Sequence, residues 1–133
     1  MLKNHGVVIL IRDKDKFLLL KDSRELMLDF WAPPHGRCEE ADKNEQDTVK
    51  REALEETGLN TAPIKKVWTT EADTKIKTVS FWLADVIDGE ICIDKNESSE
   101  YGWFTFEEAL KLKLYPGTKR FFNLVKDGEI SIR

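Results

Sequence analysis

The sequence is poor in cysteine and histidine, with two of each among 133 residues. Cys38 and Cys92 lie far apart, and no Cys-x-x-Cys pair is present. This scarcity argues against a disulfide framework and against a structural zinc site built from cysteine and histidine. Reduced thiols are typical of intracellular proteins, so we expect a cytoplasmic location.

Long hydrophobic runs are also missing. No stretch approaches the roughly 18 consecutive apolar residues that a membrane span requires. The first five residues contain no apolar core of a secretory signal. We therefore expect a protein without a membrane partner.

Clustered positive charge is the third feature that the sequence lacks. The formal net charge is −4, and no basic stripe is present, which makes a nucleic acid an unfavourable partner. A phosphorylated small molecule held through metal ions remains compatible with this charge. The chain length and the hydrophobic content of 41% fit one soluble domain spanning residues 1–133.

An acidic helix is the most informative segment that the sequence does contain. The predicted helix begins near Asn44, which can provide an N-cap, and ends at Gly58. Glu52, Glu55 and Glu56 have the spacing i, i+3 and i+4, so their carboxylates lie on one face.

This acidic face is unfavourable in an isolated helix. Like charges at i,i+4 cost about 0.2–0.5 kcal/mol, and glutamates in the last turn oppose the helix dipole by about 0.3–1 kcal/mol each. A divalent cation would compensate, and Mg²⁺ and Mn²⁺ prefer oxygen ligands. The residues therefore favour metal-dependent phosphate-ester or anhydride chemistry over a merely solvated glutamate-rich face.

The first two short apolar runs, which a charged turn separates, predict a hairpin in a sheet that is covered on both faces. Asp88-Gly89 is typical of a hairpin turn, from which residues 90–93 would return as a strand. The predicted strands are 7–11, 17–20, 64–70, 77–86, 90–93 and 101–104, and the further helices are 105–113 and 118–126.

The segment around the acidic helix resembles the Nudix box. That motif is a glycine, five residues, Glu, seven residues, Arg-Glu, an apolar residue, any residue, Glu-Glu, any residue, glycine and an apolar residue. Here Gly36 ends the loop WAPPHG, and residues 51–59, REALEETGL, match the last nine positions of the motif. The chain is thus similar to the Nudix hydrolases, a resemblance that covers it nearly end to end.

One position departs from the box. The interval from Gly36 to Arg51 is one residue longer than in the motif, so the first box glutamate falls on Asp42 or on Lys43, depending on the end from which one counts. Because a helix accommodates an extra residue poorly, we place it in the loop before Asn44. In the family that glutamate mainly supports the loop and the helix.

The resemblance implies a fold and a set of site residues. The fold is α/β, an α/β/α sandwich around a central mixed sheet. Catalysis would involve Arg51 and the carboxylates, with Arg51 orienting one glutamate. The implied Mg²⁺ or Mn²⁺ ligands are the Gly36 carbonyl and the side chains of Glu52, Glu55, Glu56 and Glu97. Glu97 would bind metal or act as general base, and Glu100 is the local alternative.

Substrate contacts are less well specified by the resemblance, which is greatest to small nucleotide hydrolases, including the diadenosine tetraphosphate hydrolases. His35 is a candidate phosphate contact, but a loop histidine also commonly bonds the backbone. The aromatic candidates for base stacking, each of which also fits a core position, are Trp31, Trp68, Trp82 and Tyr115. The cationic candidates for phosphate binding are Lys75, Lys77, Arg12 and Arg24.

The leading hypothesis is a metal-dependent hydrolase, monomeric or homodimeric, that cleaves a pyrophosphate bond in a nucleoside polyphosphate by attack of water at phosphorus. The substrate would be a dinucleoside tetraphosphate or a nucleoside triphosphate. Two alternatives are a non-catalytic Nudix module that binds a nucleotide, and an RNA 5′-end pyrophosphohydrolase, which the acidic composition disfavours.

Overall fold

The computed structural model describes residues 4–72 and 76–132. Within these ranges, seven strands form one mixed sheet, and three α-helices accompany it. No helix there is long and apolar enough to span a bilayer. The elements are β1 (His5–Asp13), β2 (Lys16–Asp22), β3 (Trp31–Ala32), β4 (His35–Arg37), α1 (Glu45–Thr57), β5 (Leu59–Glu71), β6 (Thr78–Gly89), β7 (Ser98–Thr105), α2 (Phe106–Ala109) and α3 (Pro116–Lys126).

Strand β1 is at the centre of the sheet. It pairs antiparallel with β2 and β4 and parallel with β6, so the hairpin predicted from the first two apolar runs is confirmed. Strand β2 also pairs antiparallel with β3 and β7, and β6 pairs antiparallel with β5. The β1 run is continuously apolar because helices cover the sheet on both faces.

Successive residues of the central strands contribute to two cores on opposite faces. Ile9 of β1 packs in the core beneath α1, whereas Leu10 packs in the core beneath α2 and α3. Val49 and Ala53 bury the inner face of α1, and Phe121 and Phe122 bury that of α3. This alternation is the α/β/α sandwich expected from the sequence.

Helix α1 has the boundaries that its capping residues predict. The Asn44 side chain accepts a hydrogen bond from the Asp47 backbone N–H at 2.9 Å. Gly58 has the left-handed φ of 79° and donates its N–H to the Leu54 carbonyl. The acidic face is therefore fixed between two defined helix ends.

A buried polar network anchors the first turn of α1 to the sheet. Glu45 accepts hydrogen bonds from the Trp82 indole at 3.1 Å and from Lys66 Nζ at 2.8 Å, and it lies 3.2 Å from His5 Nε2. Although burial alone would raise the pKa of Glu45, these hydrogen bonds lower it to about 2. The anchor fixes the helix against β5 and β6.

The predicted return strand at residues 90–93 is wrong. Residues 90–93 form no strand, because β1 and β5 already occupy both edges of β6. The segment turns towards the end of α1 instead, where the Cys92 N–H donates to the Thr57 carbonyl at 2.8 Å.

Other element boundaries also differ from the predictions, among them those of α2, α3 and β5. Helix α2 ends at Ala109 rather than at residue 113, and α3 begins at Pro116 rather than at residue 118. Strand β5 begins at Leu59, directly after the cap of α1, rather than at residue 64.

Strand β5 is the outer strand on one side of the sheet. Its pairing with β6 is irregular at three places, between Asn60 and Thr61, between Pro63 and Lys65, and between Lys66 and Trp68. Pro63 contributes no N–H to the ladder. The strand is consequently long but not a regular edge.

Candidate active site

The three glutamates of the acidic face lie in the second half of α1, beside β4. Glu56 accepts a hydrogen bond from the His35 backbone N–H at 2.9 Å. The Glu52 side chain lies against Gly36, and Glu55 points outward with 57% of its side chain exposed. Strand β4 and α1 thus hold one exposed and two enclosed carboxylates together.

Arg51 connects the helix to the loop before it. Its Nε and Nη2 donate to the two carboxylate oxygens of Asp42 at 3.1 and 2.9 Å. Its Nη2 also donates to the Arg37 carbonyl at 2.8 Å, and its Nη1 donates to Glu52 at 2.7 Å and to Glu55 at 3.2 Å. A planar guanidinium can position several oxygens at once in this way.

Asp42 occupies the place of the first box glutamate counted from Gly36. Its carboxylate is 6% exposed and also accepts hydrogen bonds from Thr48 Oγ1 at 2.8 Å and from the Glu39 backbone N–H at 2.9 Å. The hydrogen bonds from Arg51 hold the pKa of Asp42 well below its ordinary value. Lys43, the other candidate from the sequence, has an exposed side chain.

The two enclosed carboxyls, those of Glu52 and Glu56, both have raised pKa values. Burial, together with the negative charge of Glu52, raises the pKa of Glu56 from its ordinary value of 4.5 to about 8. Burial also raises the pKa of Glu52, although the hydrogen bond from Arg51 opposes this shift. Two carboxyls in one enclosed space favour either a proton or a cation between them.

The donor set fits a hard cation. Carboxylate and carbonyl oxygens are the ligands that Mg²⁺ and Mn²⁺ prefer, and a cation would offset the burial and the Glu52 charge that raise the pKa of Glu56. No three carboxylate, imidazole or thiolate side chains of the described ranges converge as a preformed metal cluster. Arg51 and the His35 N–H are the present partners of Glu52 and Glu56.

Two glycines allow the close approach of β1, β4 and α1 at this point. A Cβ on Gly36 would overlap the Glu52 carboxylate, and a Cβ on Gly6 would lie 2.9 Å from the Gly36 carbonyl oxygen. Only glycine therefore leaves both the glutamate and the candidate carbonyl ligand in place. Gly6 was missed in the sequence analysis, where its only signal is its position before an apolar run.

Glu52, Glu55 and Glu56 line a cavity of about 450 Å³. Glu97, which lies in a turn before β7, lines this cavity, whereas Glu100 lies 3.7 Å from Lys21 and does not line it. The geometry thus brings together all four glutamates of the predicted site. The charged lining residues are Asp22, Arg24, Arg37, Glu52, Glu55, Glu56, Asp94 and Glu97.

A second cavity, of about 670 Å³ and mostly apolar lining, adjoins the first. Ala32, His35 and Tyr115 line both cavities and therefore form their boundary. Trp68, one of the aromatic candidates, lines the second cavity. Its other lining residues include Val8, Met27, Thr70, Val79, Phe81, Pro116 and Arg120.

His35 is oriented by the backbone. Its Nδ1 lies 2.9 Å from the Pro33 carbonyl oxygen, which can only accept, so Nδ1 carries a proton. Burial lowers the pKa of His35, which favours the neutral ring. Of the two interpretations open at the sequence level, the backbone hydrogen bond is present, and the ring also lines both cavities.

Several candidate substrate contacts lie away from the cavities. Trp82 is 6% exposed and bonds Glu45 in the core beneath α1. Lys77 is exposed and lines neither cavity. Trp31 is in the opposite core, Arg12 pairs with Asp85, and Lys75 falls outside the described residues.

Asp22 and Asp94 are cavity residues that sequence reasoning missed. Asp22 is 5% exposed and accepts hydrogen bonds from Arg24 and from the Tyr115 hydroxyl. Tyr115 is 93 residues away in the sequence, so no local pattern connects the two side chains. Asp94 lies in a polar loop that carries no distinguishing signal.

The motif, the sandwich and the carboxylate cavity agree with a match to a family model. The model of the NUDIX domain matches residues 2–125. The chain belongs to the Nudix family. It is therefore a Nudix hydrolase, an enzyme of the pyrophosphohydrolase type.

Individual relatives of this Nudix hydrolase differ in their named substrates. It is 32% identical over 111 residues to the mouse asymmetrical bis(5′-nucleosyl)-tetraphosphatase, covering 78% of this chain and 74% of the relative. It is 26% identical over 123 residues to a putative 8-oxo-dGTP diphosphatase of Bacillus subtilis, covering 92% and 80%. The structure of a NUDIX hydrolase from Nitrosomonas europaea shares the fold, with a TM-score of 0.78 at 18% identity, covering 97% and 75%.

Proposed function

We propose that this enzyme uses Mg²⁺ or Mn²⁺ to cleave a pyrophosphate linkage in a nucleoside polyphosphate by attack of water at phosphorus. The observation that carries the proposal is the junction of two cavities, one lined by carboxylates and one mostly apolar. A phosphate chain and a nucleoside require these two environments side by side.

The side chains that would hold the metal are Glu52, Glu55 and Glu56, assisted by the Gly36 carbonyl. A bound divalent cation supplies positive charge to phosphate oxygens and makes a water more acidic. Arg51 keeps Glu52 and Glu55 in place through its hydrogen bonds.

Glu97 is our candidate for the general base. It lines the carboxylate cavity, and its backbone is tied to the β2 end by the hydrogen bond from the Ser23 N–H to its carbonyl at 2.9 Å. An exposed carboxylate on such a fixed turn is able to accept a proton from an attacking water.

The nucleoside would enter the apolar cavity, with its phosphate chain crossing the boundary at His35 and Tyr115. The relatives support this substrate class, since a bis(5′-nucleosyl)-tetraphosphatase and a putative 8-oxo-dGTP diphosphatase are both named for nucleoside polyphosphates. A dinucleoside tetraphosphate and a nucleoside triphosphate are the two substrate types to compare first.

The test is product release from a panel of compounds with and without Mg²⁺ and Mn²⁺, with products separated by chromatography. The panel contains ordinary and oxidised nucleoside triphosphates, dinucleoside tetraphosphates and nucleotide sugars. We expect metal-dependent cleavage that falls at least 100-fold in Glu55→Gln but not in Glu107→Gln, an exposed glutamate on α2. Nucleotide binding without cleavage of any compound would instead identify a non-catalytic module.

A further inference from the structure

Arg24 is held in the wall of the carboxylate cavity by a buried partner. Its Nε and Nη2 donate to the two carboxylate oxygens of Asp22 at 3.0 and 2.9 Å. The Asp22 side chain is only 4% exposed, and it also accepts the Arg24 backbone N–H at 2.8 Å. This is a bidentate pair between the last residue of β2 and an arginine two residues beyond the strand, and it fixes the plane of the guanidinium.

Tyr115 completes the support of this arginine. Its hydroxyl donates to Asp22 Oδ2 and accepts from Arg24 Nη2 at 3.3 Å. Although burial alone would raise the pKa of Asp22, the hydrogen bonds from Arg24 and Tyr115 lower it to about 2. Asp22 is therefore ionised at neutral pH, and Arg24 has one fixed orientation.

The opposite edge of the guanidinium has no such partner. Arginine has five N–H donors, and the two on Nη1 of Arg24 meet no acceptor among the residues that the structure describes. Its side chain remains 53% exposed and lines the cavity that contains Glu52 and Glu56. The pair with Asp22 thus holds the guanidinium rigidly in the cavity wall, with Nη1 not used by that pair.

Arg24 and Arg37 are the cationic residues in the lining of this cavity, which also carries Glu52 and Glu56. The positive charge of Arg24 also acts on Glu56, where it partly offsets the rise in the pKa of that carboxyl. Arg51, by contrast, is committed to Asp42, Glu52 and Glu55. A phosphate chain lying along the carboxylates can therefore accept hydrogen bonds from the two N–H groups on Nη1 of Arg24.

We propose that Arg24 binds the non-bridging oxygens of a substrate phosphate next to the one held at the carboxylates, and that Asp22 and Tyr115 are positioning residues for it. The ligand chemistry is a phosphate group within a polyphosphate chain. This inference rests on the proposed function for the nature of the substrate, but not for the presence of the phosphate site.

The experiment compares Arg24→Ala with Arg12→Ala. Arg12 is a matched control because it forms the same bidentate pair, with Asp85 at 3.0 and 3.3 Å, and lines neither cavity. The readouts are KM and kcat with the best substrate of the panel, the melting temperature, and calorimetric binding of inorganic tripolyphosphate with Mg²⁺. Binding of a methylene-bridged nucleotide analogue separates the phosphate contribution from that of the nucleoside.

We expect Arg24→Ala to raise KM about 10- to 100-fold and to weaken tripolyphosphate binding by a similar factor, with Arg12→Ala close to wild type. Tyr115→Phe, which removes only the hydroxyl, should raise KM about 3- to 10-fold, and Arg24→Lys should recover part of the loss. Should Arg24→Ala not fold, the last two variants decide the question.

Two results separate this inference from the proposed function. A folded Arg24→Ala protein that is less heat-stable but has the KM and tripolyphosphate affinity of Arg12→Ala overturns the phosphate site, while the proposed function stands. If wild type binds tripolyphosphate and cleaves nothing, and Arg24→Ala loses that binding, the site stands and the proposed function fails.

Discussion

At the residue scale, Glu56 is an enclosed carboxyl whose protonation would change on binding of a cation. It is enclosed by the protein and faces Glu52, and the resulting rise of its pKa to about 8 keeps it protonated in the metal-free enzyme near neutral pH. A cation bound beside Glu56 would therefore favour the ionised carboxylate and lower this pKa.

Glu56→Gln should make metal-free stability less dependent on pH. The folded-state pKa of about 8 exceeds the ordinary value of 4.5, so the folded wild type retains a proton that the unfolded chain has lost. Its free energy of unfolding should fall relative to Glu56→Gln as pH rises from about 4.5 to about 8, by at most about 1.4 kcal/mol per pH unit. Urea denaturation in a chelator, followed from pH 5 to 9, measures this difference.

Glu107→Gln is the matched control, since Glu107 is exposed on α2 and should leave the profile unchanged. Parallel profiles of wild type and Glu56→Gln would show that Glu56 has an ordinary pKa. Turnover with metal should still be lost in Glu56→Gln, because the neutral amide is a much weaker ligand than a carboxylate.

The sequence was sufficient to find the glutamates of α1 but not the residues that face them. Glu52, Glu55 and Glu56 follow a helical period, so their common face could be predicted from spacing alone. Asp22 meets Tyr115 only because β2 and the segment before α3 lie together in the fold. Such a contact between distant segments leaves no periodic trace in the sequence.

At the scale of elements, Asp42 and the loop before α1 compensate for each other. Aspartate is one methylene shorter than the glutamate of the Nudix box, and the interval from Gly36 to Arg51 is one residue longer. The carboxylate nevertheless reaches both Nε and Nη2 of Arg51. The longer loop therefore delivers a shorter side chain to the same guanidinium.

Asp42→Ala should lower the free energy of unfolding by about 2–4 kcal/mol, because it leaves a half-buried Arg51 without its main partner. Asp42→Glu should cost about 1 kcal/mol, since the added methylene has to fit a site that is already filled. Deleting Lys43 in the Asp42→Glu background should then recover stability. Chemical denaturation of wild type, Asp42→Glu, the Lys43 deletion and the combined variant measures the coupling between the side chain and the loop length.

The single deletion of Lys43 serves as the control, and it should be destabilising on its own. If Asp42→Glu and the deletion were simply additive, the loop and the side chain would not compensate for each other. Because Asp42 has a lowered pKa, the difference between wild type and Asp42→Ala should be full above about pH 4 and decrease at lower pH.

The elements themselves were predictable where local chemistry determines them. Asn44 and Gly58 determine the ends of α1, and the charged turn before Phe17 determines the first hairpin. The hairpin predicted at Asp88-Gly89 is wrong because strand pairing depends on the whole sheet. In this sheet β6 lies between β1 and β5 and has no free edge for residues 90–93. Parallel pairing of β1 with β6 has no local sequence signal.

At the scale of the whole molecule, two adjoining cavities present a charged surface and a mostly apolar surface side by side. Val79 lines the apolar cavity from β6, so Val79→Phe should fill part of the space proposed for the nucleoside. We expect KM for a nucleoside polyphosphate to rise about 10-fold, about 1.4 kcal/mol, which is within the range of base stacking. Affinity for inorganic tripolyphosphate, measured by calorimetry, should not change.

Ile87→Phe provides the control, because Ile87 is on the same strand, is 63% exposed and lines neither cavity. Equal loss of nucleotide and tripolyphosphate binding in Val79→Phe would indicate a general distortion. Unchanged KM in a folded Val79→Phe protein would place the nucleoside elsewhere.

The irregular outer strand also bears on how the chain behaves at high concentration. A regular unpaired edge offers its N–H and C=O groups as a template on which a second molecule can add a strand, and aggregates grow by this route. In β5, Pro63 offers no N–H, and the strand is bent by three register irregularities in its pairing with β6. We therefore expect the bent, proline-containing strand that packs beside α1 to be a poor template for an intermolecular sheet.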